Sequence, residues 1–212
     1  CVQAIDYAHR NEDGSVARIP DSLTTVFHTA AGREVRDGGG VSPDIEVKQE
    51  RLPNILFYLV RDNLIFDYAT DYCLKHPAIA SAKEFELTDA DYEEFKNKVK
   101  GADFKYDQQS EKILNTLKEA AEFEGYMKDA SDEFKALENK LKHNLDRDLD
   151  YFSKDIKKMI AEEIIKRYYY QEGAIIQQLK DDKDLDEAVK VLTNPERYQQ
   201  ILSVTAVTAK KE

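Results

Sequence analysis

Apolar side chains change their spacing near residue 50, and that change limits this chain to one broad architecture. Five of the eight glycines fall in the first 40 residues, and eleven of the twelve tyrosines lie beyond residue 50. Ser22–Ala30 is rich in β-branched and aromatic residues and is bounded by Pro20 and Gly32, which is a strand signal. Val41–Val47 alternates weakly and is a candidate for a second short strand, and Asn11–Gly14 has the composition of a tight turn.

Beyond Pro53 the period is helical. Pro53 suits a first helical position, and Ile55, Leu56, Leu59, Ile65, Ala69 and Tyr72 make a broad apolar stripe that Pro77 ends. Thr88 is an N-cap signal ahead of Tyr92, Phe95 and Val99, with Gly101 closing that helix. A third helix is expected over about 107–123 and a fourth from Ser131. Leu145, Leu149, Phe152, Ile156, Ile160 and Ile164 continue at spacings of three and four, so this stretch and the fourth are either one long helix or two joined near Asn144. Two short helices are expected at the end, over Leu185–Leu192 and after Pro195. The residues from Ser203 have no core-forming period and are expected to fray. The fold class is mainly α: an irregular helical bundle preceded by a small β segment. The expected parts are residues 1–50, β-rich; 51–203, helical; and 204–212, a flexible tail.

At 212 residues the chain is long enough to bury a core, and its net charge of -11 argues against binding a phosphate backbone, which needs clustered Lys and Arg. No apolar run is long enough to span a membrane. The chain starts at Cys1 rather than Met, which reads as a processed or excised chain. Cys1 and Cys73 make neither a disulfide framework nor a metal site.

Nucleophilic catalysis needs an activated side chain beside a base. No Gly-x-Ser-x-Gly elbow and no Ser-x-x-Lys pair occurs, and Ser153 beside Lys154 falls on what reads as a solvated helix face. His9, His28, His76 and His143 are far apart, without the pairing a metal site needs. No metal or other cofactor is therefore expected. Asp181, Asp182 and Asp184 lack the glycine and glutamate of a calcium loop, and no carboxylate pair stands out for glycoside hydrolysis. Tyr168, Tyr169 and Tyr170 span nearly a full helical turn and cannot all face one side; core packing is favoured over a partner surface for them.

The remaining motif is the run from Gly32 to Asp44, with Gly38, Gly39 and Gly40 in succession. No Lys-Ser/Thr follows it, so a β-bulge, turn or backbone crossing fits it better than a phosphate cradle. Asp37 and Asp44 flank the glycines as candidate turn acceptors, and Arg33 is placed to pair with either one.

The residues Phe27 to Arg33, followed by Asp37 to Asp44, resemble the end of the catalytic core in carboxyl-terminal processing peptidases, the S41 or tail-specific serine peptidases. The resemblance covers about residues 1–47, and the helical remainder is similar to the C-terminal extension of the same group. It implies a parent enzyme with a Ser-Lys dyad that cleaves protein C-termini in the bacterial periplasm or envelope. In that family the serine and lysine lie upstream of this stretch, and no position here matches either motif, so no catalytic residue carries over. What carries over is structural: Gly32, Arg33, Asp37, Gly38, Gly39, Gly40, Pro43 and Asp44 are expected to hold the rim of the core. Protein substrates are reached through the parent, and the helices serve homo-dimerisation, substrate gating or docking. The alternative is a stand-alone helical interaction module without enzymatic activity.

Overall fold

The computed structural model describes residues 6–10, 16–17, 21–30, 32–37, 43–48 and 52–202. The expected turn at Asn11–Gly14 and the tail from Ser203 lie outside them. The chain divides into two compact units, Leu52–Lys180 and a second one built from the residues that flank it on both sides.

The second unit holds two small antiparallel pairs. β1 (Asp6–Arg10) pairs with β2 (Val16–Ala17), and β3 (Val26–His28) pairs with β4 (Glu34–Arg36) in the register Val26↔Arg36, Phe27↔Val35, His28↔Glu34. The strand expected over Ser22–Ala30 is thus shorter, and a 3-10 turn at Asp21–Leu23 precedes it. Its partner is β4, whereas residues 43–48 carry no strand. The turn at Thr29–Arg33 closes the nearest hairpin, and Pro43 has no N–H to give a ladder. Toward the C-terminus this unit carries α8 (Lys183–Leu192), capped by Asp182 accepting from Leu185 N, and α9 (Pro195–Leu202).

The larger unit is all helix: α1 (Asn54–Arg61), α2 (Leu64–Lys75), α3 (Asp89–Gly101), α4 (Gln109–Phe123), α5 (Ser131–Leu141), α6 (Leu145–Tyr151) and α7 (Ser153–Gln178). One core joins α1, α2, α3, α6 and α7 with the loop that carries Phe85 and Leu87. Phe95, Leu59, Ile160 and Ile164 are among its fully buried members.

The helix breaks settle what local periodicity ran together or left open. The stripe from Ile55 to Tyr72 is two helices, because Asn63 adopts φ 59° between them. Asparagine reaches that left-handed conformation more cheaply than most residues. Gly101 is the last residue of α3, and the left-handed position after it belongs to Asp103 (φ 45°). After α5 the chain breaks at Asn144, which caps α6 by accepting from Arg147 N at 3.0 Å, and it breaks again at Phe152.

The largest departure lies inside α7. Tyr170 takes φ 55°, ψ −153°, and the helix doubles back on itself there. Gln178 Nε2 donates to Glu162 Oε1 at 2.7 Å, though sixteen residues separate them. In a straight helix they would stand about 24 Å apart. Gly173 allows the two arms, 153–169 and 171–178, to close: a Cβ there would lie 2.3 Å from Tyr169 Cβ and 2.9 Å from Ile165 Cγ2.

Candidate functional site

The described start of the glycine-rich motif, Gly32–Asp37, forms the turn end and second strand of the β3–β4 hairpin. Gly32, at φ 81°, donates from its N–H to Thr29 O at 2.8 Å, and Thr29 N donates to Arg33 O at 2.8 Å. A side chain at position 32 would be strained at that φ. Arg33 N donates to the Thr29 hydroxyl at 3.1 Å. Asp37 closes the other end: its Oδ1 accepts from Thr25 N at 2.5 Å while its own N–H donates to Thr25 O at 3.1 Å. Between the two candidate partners, Arg33 pairs with Asp44, beyond the glycines. Pro43 is exposed beside it. Gly38, Gly39 and Gly40 lie outside the described residues. Thus Asp37 holds the backbone of Thr25, and Arg33 and Asp44 clasp each other across the run.

A second polar constellation has no counterpart in the sequence motifs. Asp148 on α6 is almost wholly buried, at 3% exposure. It accepts from the Tyr106 hydroxyl, from Gln108 Nε2 at 2.9 Å and from Arg147 Nη1 at 2.9 Å. Burial, and then the hydrogen bond to this carboxylate, hold the Tyr106 phenol well above its ordinary pKa. Phe104 stacks on Tyr106, and His143 meets the same ring edge-on at 4.5 Å. On the neighbouring face Asn54 Nδ2 donates to Asp107 O at 2.5 Å. Together these bonds tie the loop of residues 102–108 to α1 and α6. Asp148 stands one place before Leu149, on the stripe of Leu145, Leu149 and Phe152. An acid on an apolar stripe was the signal available for it.

The other candidates take structural places. His76 stacks on Tyr72 with ring centroids 4.0 Å apart, and His28 is exposed on β3. Ser153 is half-buried as the first residue of α7, and Lys154 beside it is exposed. Of the tyrosine run, Tyr168 donates to His76 O, Tyr169 donates to Ala80 O at 3.0 Å, and Tyr170 is exposed. Tyr168 is pushed up to about 12 by burial and then by its hydrogen bond with Cys73. Among the described residues no group of three or more His, Cys, Asp or Glu is placed to hold a metal ion, and no helix is long and apolar enough to cross a membrane.

The helical hairpin of α4 and α5 has a different character. α5 buries no side chain, and Lys118 bridges to Glu138 across the pair at 2.7 Å. Ile113, Leu117 and Leu137 remain about half exposed on it, with Phe123 and Tyr126 more so at the turn. This hairpin offers contact surface, whereas the buried polar groups offer scaffolding.

The family whose profile matches is described as "Probable PDZ-protease, C-terminal helical domain", and the match covers residues 55–192. Searches of curated proteins and of solved structures each returned no match. The matched region takes in α1 through α8, well over half of the chain, and the chain belongs to this family.

Proposed function

We propose that this member of the C-terminal helical domain family of probable PDZ-proteases is the non-catalytic, C-terminal part of a carboxyl-terminal processing serine peptidase of the S41 type. Its parent hydrolyses peptide bonds near protein C-termini, with a Ser-Lys dyad supplied upstream, in the bacterial periplasm or envelope. The helical domain works by protein contact, in dimerisation or in gating substrate entry. The observation that carries this reading is the family match over residues 55–192. The clasp of Arg33, Asp37 and Asp44 and the exposed apolar residues of the α4–α5 hairpin support it.

Incubating the purified chain with an unfolded protein substrate tests the catalytic half. The expected result is no cleavage by the chain alone, and cleavage blocked by a serine-directed inhibitor overturns it. Sedimentation equilibrium tests the contact half. A dimer is expected, and a chain that stays monomeric and also leaves the parent's activity unchanged when Leu117 is replaced by Lys removes both contact roles.

A further inference from the structure

The reversal inside α7 sets a residue type against a backbone that suits glycine. At φ 55°, ψ −153°, the Cβ of an L-residue crowds its own backbone. Yet the position holds Tyr170, and its neighbours Arg167, Tyr168, Tyr169, Gln171 and Glu172 are all residues that continue a helix. No proline or turn-forming glycine stands at the hinge. Local preference therefore runs α7 straight, and only contacts made by the returning arm hold it folded over.

Those contacts are few and specific. Gln178 reaches Glu162, and Gly173 lies against Ile165 and Tyr169. Gln177 Nε2 donates to Phe85 O at 3.3 Å and Lys180 Nζ to the same oxygen at 2.8 Å. The buried Gln177 Oε1 has no partner there. A second copy of the chain presents the same seat. An arm that swings open regains on that seat the contacts of residues 171–180, and it leaves the strained hinge behind.

We propose that the chain forms a domain-swapped dimer, in which α7 runs straight through Tyr170 and residues 171–180 of each copy occupy the seat on Ile165 and Phe85 of the other. The contacts of the closed hairpin are all remade between copies, both hinges relax, and association entropy is the opposing term. Short hinges under strain favour such exchange. The proposal deepens the dimerisation role proposed above and rests on it for the existence of a dimer.

A disulfide trap reads the exchange directly. In a variant carrying Cys1→Ser, Cys73→Ser, Glu162→Cys and Gln178→Cys, the introduced thiols meet within one chain when the hairpin is closed and between chains when it is swapped. The dimer fraction is isolated by size exclusion with light scattering, oxidised, denatured and run on a non-reducing gel. A covalent dimer is the expected result. Single chains with internal bridges overturn the swap but leave a surface dimer standing, and a chain monomeric at every concentration reached overturns both.

Two hinge variants supply an independent readout. Tyr170→Gly removes the left-handed penalty of the closed form and weakens the dimer about a hundredfold, a factor of about ten per hinge. Tyr170→Ala keeps the left-handed penalty of the closed form, loses no buried contact because the tyrosine is exposed, and suits a straight helix, so it holds the dimer fraction at or above that of the unaltered chain. Circular dichroism melts establish that each variant folds. Equal dimer fractions in the two variants overturn the proposal.

Discussion

Asp148→Ala tests whether the buried carboxylate is the tie between the 102–108 loop and α6. The side chain is 4% exposed and takes three donors. Arg147 keeps 68% of its side chain in solvent, so its bond adds little after screening. The Tyr106 and Gln108 bonds are partly buried and charge-assisted, worth roughly 1.5–3 kcal/mol each. Removing the acceptor also strands both donors, so the expected loss is about 3–5 kcal/mol, the range for breaking a buried charged contact. Against a total stability of about 5–15 kcal/mol this is a large fraction. It corresponds to a melting shift of roughly 6–20 °C for a chain of this size. The chain has no tryptophan, so urea titrations followed by tyrosine fluorescence and circular dichroism give the midpoint and slope. Tyr106→Phe alone is expected to cost about 1–2 kcal/mol, and the double variant less than the sum, because one bond is shared. A loss below about 1 kcal/mol for Asp148→Ala, or strict additivity with Tyr106→Phe, would refute the reasoning.

Thr88→Ala removes the side-chain half of the capping box, in which Thr88 Oγ1 accepts from Asp91 N at 3.1 Å, and leaves the backbone half, in which the N–H of residue 88 donates to Asp91 Oδ2 at 3.2 Å; a loss of about 1 kcal/mol is expected in urea titrations, restored in large part by Thr88→Ser. The carboxyls of Asp62, Asp71 and Asp89 are held below their ordinary range, first by hydrogen bonds from Arg61, Lys98 and Lys157 respectively. Their folded values are depressed, so their contribution is present above the unfolded carboxylate pKa and fades as pH falls through the lowered values. Melting temperature is expected to be flat near neutrality and to drop below about pH 4, with a shallower drop in about 1 M salt. An acid limb unaffected by salt would assign the loss elsewhere.

Much of the fold was legible because its signals are local. The cap at Thr88, the start of α5 at Ser131 and the helices after Asp182 and Asn194 each declare themselves within one turn of chain, whereas the choice between one helix and two at Asn144 was left to the structure. The same holds for Arg33, Asp37 and Asp44, whose partners lie within twelve residues. The partners of Asp148 were not legible, because Tyr106 and Gln108 are about forty residues away and nothing in their spacing announces a shared carboxylate.

By itself, the sequence determined that residues beyond 53 form amphipathic helices and where most of those helices start. Apolar period and caps act over a few neighbours, and the energies involved are carried in those neighbours. Only the tertiary structure decided that β3 pairs with Glu34–Arg36, that Asn63 splits the first helix, that Asp148 goes inside, and that α7 folds back at Tyr170. Each of the last three choices costs local free energy, in a left-handed backbone or a buried charge, and each is offset by partners far along the chain: Tyr106 and Gln108 for Asp148, Glu162 and Phe85 for the returning arm.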